Sequence, residues 1–563
     1  MGGGGGPPQL NNGDAPSVCE AFTTSVHIFW KRFESDIKDA AVRYATFWPQ
    51  DQSNNTMFND WINQLFQHYY QSYQLRRSSI HPPGLVDTLK ILEIITKRVN
   101  YLRNKESLSS SPVVSAPPLH IMVTGGSVPA GTDCWRNHIG LRKPSYEGKC
   151  AWPRRLQDLF NHVLFQGKNV VKVSNLAVGK SSSAIGKFLL EYQLFPDGFE
   201  LPHIVIWSHV VNDARAPDKN KAYFEDMPGY VNAAHKLRLC DDNLPLVVMN
   251  EEFFREFQSN EISGMIYKVS NWFGLMGISH RNVISHITFA NSDKPEFLDT
   301  IVGARRGIHP GMAGHIGVAW TVFYNFISAF SDACDYKRIS SPQTTVGGRI
   351  VTNRDDVNAK SIGFYKETEL PTSAEWKEHQ THIREECRSQ QQQQQGPCTY
   401  AFLVNRISSV RDENTLNKKM NEVLASNVGW KADGNLGKNL GLGWFAQEAN
   451  AHFSLKIDNV AIATKYVTIV SMESYGDNFQ NTTLEVDVRI EKLEQAAAAM
   501  ASAGMAVAKY KITGYHTTKT SIHVPHKFEL PNGGALVGDS IVVDFHLVSG
   551  SYFKIVGLAF CRY

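Results

Sequence analysis

Residues 119–131 read LHIMVTGGSVPAG and indicate the type of fold that surrounds them. Its first half is a short apolar run, which is typical of a buried strand, and its second half is a turn of small residues. The glycines let the backbone turn sharply beside Ser127 and leave space for a ligand. The stretch therefore predicts a strand that delivers a serine at its carboxyl end.

The alternation of strand and helix continues from residue 119 to residue 336. Continuous apolar runs alternate with amphipathic stretches of helical length, which favours a parallel sheet covered by helices on both faces. The predicted strands are Leu119–Val123, Val170–Val173, Ile204–Trp207 and Leu246–Met249. The predicted helices are Trp152–Leu164, Ser182–Tyr192, Tyr230–Leu239 and Glu261–Phe273. Because sites in such sheets form at the carboxyl ends of strands, the residues after these strands are candidates for function.

Three other regions flank this α/β segment. Residues 1–118 are predicted to be an N-terminal helical region that ends in a linker rich in Ser and Pro. Residues 337–396 contain a six-glutamine run and few apolar residues, which predicts a further linker. Residues 397–563 carry β-rich runs separated by turns, which predicts an all-β sandwich. Its aromatic residues belong either to a glycan-binding surface or to the core; they include Trp430, Trp444, Tyr475 and Tyr515.

Charge and composition argue against several classes of function. The 563 residues include 57 basic and 54 acidic side chains, a balance that does not favour a nucleic acid or an anionic membrane as partner. No apolar run is long enough for a transmembrane segment. No cluster of Cys and His has the spacing of a zinc site, so neither a metal nor a cofactor is expected.

The cysteines and the N-terminus bear on the cellular compartment. Cys134 and Cys150 flank a polar loop that a disulfide would close, and bonded cysteines would favour a secretory history. Residues 1–8 lack the layout of a secretory signal. The sequence thus leaves two alternatives, a cytoplasmic protein or a secretory protein whose native start differs. It does not indicate an oligomeric state.

Three further segments supply candidates for serine chemistry. Gly179 follows the second predicted strand, where its backbone N–H suits an oxyanion, although a serine-capped turn is the alternative. Asn212 follows the third strand, and its amide suits the same anion or caps a helix. His309 stands before a predicted helix, a good place for a general base, although a lone histidine is more often structural.

Taken in this order, the four segments resemble the SGNH hydrolase superfamily, also called the GDSL esterase/lipase family, over residues 119–336. The resemblance implies a flavodoxin-like three-layer α/β fold. It also implies Ser127 as nucleophile, His309 as base, and Gly179 and Asn212 as donors to the oxyanion.

Two departures from the family pattern concern the residues around the site. The block-three glycine is absent from the residues before Asn212, and Arg306 stands where the family usually has an Asp three residues before the histidine. That Asp orients the imidazole. Asp293 and Asp299 are the candidates for this third role, and the alternatives are a Ser-His dyad or a site that has lost turnover.

The resemblance implies a serine esterase that removes acyl groups, such as acetyl, from a carbohydrate or another small ester. The expected partner is therefore a small-molecule or glycan ester. Two alternatives remain open, namely a catalytically degenerate SGNH-fold binding protein and an acyltransferase that uses the same serine.

Overall fold

The fold is described from a computed structural model. It describes residues 18–22, 29, 70–106, 115–132, 134, 150–238, 245–252, 261–290, 309–340, 397–404, 409–433, 442–492, 507–518 and 521–562. Asp293, Asp299, Arg306 and the glutamine run lie outside the described residues.

The first half of the chain contains a six-stranded sheet. Its strands are β1 Ser79–His81, β2 Leu119–Gly125, β3 Val171–Asn175, β4 Ile204–Ser208, β5 Leu246–Glu251 and β6 Met276–Ser279. The order is β1-β6-β5-β4-β2-β3, and every pair is parallel except β1 with β6. The five parallel strands thus follow the 2-1-3-4-5 order of flavodoxin-like sheets. The mixed α/β architecture with a parallel sheet, predicted from the sequence, is confirmed.

Helices cover this sheet. They are α1 Val18–Phe22, α2 Ser72–Leu75, α3 Leu85–Glu106, α4 Trp152–Asp158, α5 Ser183–Glu191, α6 Val210–Asp213, α7 Lys219–Lys221, α8 Met227–Lys236, α9 Glu261–Phe273, α10 His280–Ala290 and α11 Met312–Ser340. Every residue of β2, β4, β5 and β6 is buried, which requires cover on both faces of the sheet. One group of helices packs around α11 and includes α3 and α4, while α5 packs against α8.

The described part of residues 1–118 belongs to the same core. Phe22 and Phe29 are buried, and Phe22 contacts Phe330 in α11 with 5.0 Å between ring centroids. Strand β1 adds an antiparallel edge to the sheet, whereas the sequence predicts a helical region here. The apolar spacing in this region therefore reflects packing against α11 and the edge of the sheet, both of which lie far away in the sequence.

The second half contains two antiparallel sheets. Their strands are β7 Cys398–Leu403, β8 Leu424–Val428, β9 Trp430–Asp433, β10 Gly443–Ala446, β11 His452–Ile457, β12 Tyr466–Glu473, β13 Thr483–Glu491, β14 Val507–Thr513, β15 Ile522–Glu529, β16 Ser540–Ser549 and β17 Phe553–Cys561, with helix α12 at Glu413–Asn421. One sheet has the order β15-β12-β17-β10-β9, with β7 also on β17, and the other has the order β14-β13-β16-β11-β8. Their facing side chains form one core, and the pair is called the β-sandwich below.

Two of the aromatic residues considered for glycan binding are core residues. Trp430 and Trp444 are 3% and 2% exposed. Both rings pack on Phe453, with centroids 4.8 and 6.2 Å apart. A surface role for these two tryptophans is therefore wrong. Tyr475 differs, because 37% of its surface is exposed.

Three disulfides join described cysteines. Cys134 bonds to Cys150, which closes the loop that the sequence suggested. Cys19 bonds to Cys334 and ties α1 to α11, and Cys398 bonds to Cys561 and ties β7 to β17. Among the described residues, no helix is both long enough and apolar enough to cross a membrane.

Candidate active site

Ser127 lies in the turn after β2, at the point where the order of the parallel strands reverses. Gly126 N–H donates to Ser208 O at the end of β4 (3.2 Å), and Thr132 N–H donates back to Ser127 O (2.9 Å). These bonds fix the turn, while the Ser127 side chain stays partly exposed. In sheets of this type the crevice at the reversal point is the usual place for a ligand.

His309 meets this serine from the other end of the α/β region. Its Nε2 lies 2.7 Å from Ser127 Oγ, although 182 residues separate the two in sequence. His309 stands just before α11, whose buried face is anchored in the core. The distance is within the range expected for a nucleophile and its general base.

Gly179 lies beside the serine in the loop between β3 and α5. A Cβ added at Gly179 would be 4.0 Å from Ser127 Cβ, so the glycine backbone is a direct neighbour of the nucleophile. Among the described residues, no group accepts a hydrogen bond from the backbone N–H of Ser127 or of Gly179. Both N–H groups are thus available to an anion that forms at Ser127.

Asn212 closes the site from the turn after β4. Its side chain is buried, and Nδ2 donates to Ser181 O at 2.6 Å. A primary amide carries two hydrogens, so one remains for a ligand. Gly126 makes room for this amide, because a Cβ there would come within 2.7 Å of Asn212 Nδ2. This steric role of Gly126 could not be predicted from the sequence.

A network of buried polar groups holds these turns together. Ser181 Oγ donates to Gly125 O (2.7 Å), and Ser181 O also accepts from His209 Nδ1 (3.0 Å). Burial lowers the pKa of His209 to about 4, so the ring is neutral near pH 7. Since a carbonyl only accepts, the proton of His209 lies on Nδ1.

Asp213 follows Asn212 in the sequence and has a different role. Its carboxyl group accepts from Ser183 N (2.8 Å) and from Ser183 Oγ, at the first residue of α5. Burial raises the pKa of Asp213 to about 7. Asp213 therefore caps α5, as a buried carboxyl group satisfied by that helix.

His315 and Glu252 are two further buried titratable residues of this region. His315 Nδ1 accepts from Trp152 N (3.2 Å), and Trp152 Nε1 donates to Glu252 Oε1 (2.6 Å). Burial lowers the pKa of His315 to about 3 and raises that of Glu252 to about 8. His315 is thus a neutral packing residue. Glu252 was not singled out from the sequence, although its position directly after a buried strand was a signal.

Comparisons with known proteins give only low similarity. No family model and no curated protein matches the chain. A lipolytic protein of the G-D-S-L family from Veillonella parvula is similar at 11% identity over 36% of this chain and 95% of that chain, with a TM-score of 0.25. A carbohydrate esterase with catalytic and non-catalytic binding functions is similar at 12% identity over 33% and 69%, with a TM-score of 0.23.

Carbohydrate-binding modules are also among the similar structures. A family 6 module from Clostridium cellulolyticum in complex with xylose is similar at 10% identity over 25% of this chain and 93% of that chain, with a TM-score of 0.18. Esterases and sugar-binding modules are thus among the proteins that the chain resembles. These TM-scores are too low to carry an argument about function.

Proposed function

We propose that this chain is a serine ester hydrolase of the SGNH type that removes acyl groups from a carbohydrate or another small ester. The observation that carries the proposal is the 2.7 Å contact between Ser127 Oγ and His309 Nε2. The backbone of Gly179 and the buried amide of Asn212 support it, because both lie where negative charge would develop.

In the proposed reaction, His309 Nε2 takes the proton of Ser127 Oγ as the oxygen attacks the ester carbonyl. The N–H groups of Ser127 and Gly179 and the free amide hydrogen of Asn212 stabilise the oxyanion. His309 then gives the proton to the leaving alcohol, and an acyl-serine remains. Water, deprotonated by His309, attacks this acyl-enzyme, and collapse of the second tetrahedral intermediate releases the acid and restores Ser127.

The proposal is tested with a small acetyl ester and a fluorophosphonate probe. We expect the probe to label Ser127 and expect Ser127→Ala to abolish both labelling and hydrolysis, because the nucleophile is removed. His309→Ala should also lose labelling, since an unactivated serine reacts poorly. Ser115→Ala removes an exposed hydroxyl of the same region and is the matched control. Hydrolysis by Ser127→Ala at the parental rate would contradict the proposal.

The same assay separates the alternatives. If the chain is a degenerate binding protein, the probe will not label the parent protein, although an unfolding transition shows that this protein is folded. An acyltransferase predicts labelling of Ser127 together with an acylated product that appears only when an acceptor alcohol is added.

A carbohydrate substrate is supported by Tyr475. Met472, at the end of β12, contacts Lys180, the residue after Gly179. Tyr475 lies three residues after Met472, at most about 11 Å along an extended chain. Its exposed ring offers an apolar face and a polar edge, which suits a sugar ring.

We expect Tyr475→Ala to raise KM for an acetylated oligosaccharide several-fold and to leave kcat/KM for a small acetyl ester unchanged. The physical reason is that only the longer substrate reaches from Ser127 to the β-sandwich. Tyr267→Ala, which removes an exposed ring in α9, is the control. Equal KM values for parent and Tyr475→Ala on the oligosaccharide would rule out this subsite.

A further inference from the structure

The loop of residues 176–182, which carries Gly179, is held from two sides. The α/β region holds it at two points: Val178 N donates to Gly125 O (2.9 Å), and Ser181 Oγ donates to the same carbonyl (2.7 Å). Between these points, the β-sandwich contacts Lys180. The β-sandwich therefore touches the residue next to the proposed oxyanion donor.

Two contacts form this junction. His523 N–H, at the start of β15, donates to Lys180 O (3.1 Å). The Lys180 side chain extends into the β-sandwich, where Nζ lies 3.6 Å from Met472 Sδ. His523 and Met472 are direct partners in the ladder between β12 and β15, so one strand pair supplies both contacts.

The backbone of Lys180 needs this support. Its φ is +72°, in the left-handed region that side-chain-bearing residues seldom adopt. Such a conformation persists only where the surroundings hold it in place. The hydrogen bond from His523 is made to this same residue, and it fixes the peptide plane that follows Lys180.

The surroundings of the Lys180 side chain indicate that packing, not ion pairing, holds it. Among the described residues, no carboxylate lies within ion-pair distance of Lys180. Its titratable neighbours on the β-sandwich are His523 and Lys554; burial, with the two lysines, holds the pKa of His523 well below its ordinary value, so that ring is neutral near pH 7. Burial lowers the pKa of Lys180 to about 8, so its charge is partly desolvated. Nζ contacts the neutral thioether of Met472, so the stem that carries Nζ crosses the junction without an ion pair.

The contact between the two regions continues along α5. Tyr192 OH lies 3.4 Å from Thr468 Oγ1, and Lys527 Nζ lies 3.9 Å from Glu191 Oε1. Strands β12 and β15 therefore lie along α5, the helix that follows the 176–182 loop. The contact between the α/β region and the β-sandwich is thus more extensive than that of a module attached only by a linker.

We propose that the β-sandwich holds the 176–182 loop through Lys180, which makes Lys180 a positioning residue for the Gly179 N–H and makes the β-sandwich a part of the catalytic unit. This inference rests on the proposed esterase function. It predicts that a defect at Lys180 reduces the chemical step even for a substrate too small to reach the β-sandwich.

The test compares Lys180→Ala, which removes the stem, with Lys180→Met, which keeps an apolar stem without the charge. With a small acetyl ester, we expect Lys180→Ala to lower kcat on the order of 10- to 100-fold with little change in KM, because the oxyanion donor is displaced. Lys180→Met should retain most of the parental kcat. Lys527→Ala removes a contact at the far end of α5 and should match the parent.

Hydrogen exchange of the amides in residues 176–182 gives a readout that does not depend on activity. We expect faster exchange in Lys180→Ala and parental exchange in Lys180→Met and Lys527→Ala. Parental kcat and parental exchange in Lys180→Ala would overturn the inference. An equal loss of kcat in Lys180→Met would also overturn it, since the charge would then be the essential part.

Failure of the esterase proposal gives a different result. In that case the parent protein neither hydrolyses the ester nor reacts with the fluorophosphonate, whatever the exchange data show. Faster exchange in Lys180→Ala would then still establish that the β-sandwich holds the loop, and parental exchange would reject that contact as well.

Discussion

At the residue scale, the site depends on one close approach between a backbone and a side chain. The Asn212 amide lies so near Gly126 that any side chain there would collide with it. Gly126 therefore leaves the space that the Asn212 amide occupies beside the turn of Ser127.

We expect Gly126→Ala to lower kcat for a small acetyl ester on the order of 10- to 100-fold, because the new Cβ displaces the Asn212 amide from the oxyanion. Gly264→Ala is the matched control, since a Cβ at that helical position meets no atom within 4 Å. The control should be as active as the parent and slightly more stable. Full activity of Gly126→Ala would contradict the expected displacement of the Asn212 amide.

At the element scale, the turns after β2, β3 and β4 form one hydrogen-bonded unit. Ser181 joins two of them through Gly125 and Asn212, and Asp213 joins the β4 turn to the first residue of α5. A buried carboxyl group at the start of a helix satisfies an N–H group that the helix itself leaves without a partner. Asp213 thus has the helix-capping role, while the Asn212 amide donates to Ser181 O in the neighbouring turn.

The pKa of Asp213, about 7 in the fold against an ordinary value of 3.8, predicts a pH dependence of stability. Between these values the folded protein holds a proton that the unfolded chain releases. Protonated Asp213 therefore stabilises the fold fully below about pH 4. This stabilisation is lost as the pH rises through 7, at no more than about 1.4 kcal/mol per pH unit.

We expect the free energy of unfolding of Asp213→Asn to change less between pH 5 and pH 7 than that of the parent, because the amide resembles the neutral acid and does not titrate. Asp197→Asn, at an exposed position, should keep the parental slope. Denaturant titrations at several pH values measure both. An unchanged slope in Asp213→Asn would mean that Asp213 is already ionised at pH 5 in the fold.

At the scale of the whole molecule, disulfides tie together segments that are far apart in sequence. The Cys398–Cys561 bond spans 163 residues and joins the first and last strands of the β-sandwich, whereas Cys134–Cys150 spans 16. A crosslink restricts the unfolded chain more when its loop is longer. The former bond therefore stabilises the fold more than the latter.

We expect the Cys398→Ser/Cys561→Ser variant to lose about 2 kcal/mol more unfolding free energy than the Cys134→Ser/Cys150→Ser variant, from the loop-length dependence of chain entropy. Chemical denaturation of both variants beside the parent measures the difference. A greater loss in the short-loop variant would contradict this order.

The local features of this protein could be predicted from its sequence. The apolar runs at residues 119–125, 204–208 and 246–251 correspond to strands that are buried on both faces. Each of these strands is followed by the small or polar residues of a turn. Because the carboxyl ends of parallel strands share one edge, the positions of Ser127, Gly179 and Asn212 near one another could be anticipated. The sequence does not predict which of the four aromatic residues considered for glycan binding are exposed, since the same residue types form cores and bind sugars.

The contacts between distant segments are visible only in the folded chain. It brings His309 to Ser127 across 182 residues, adds β1 to the edge of the sheet, and sets β12 and β15 against Lys180. The physical reason is that hydrophobic periodicity reports how deeply a residue is buried but not which element buries it. Lys180 illustrates this limit, since a lysine in a turn is typical of a solvated surface until the β-sandwich is packed against it.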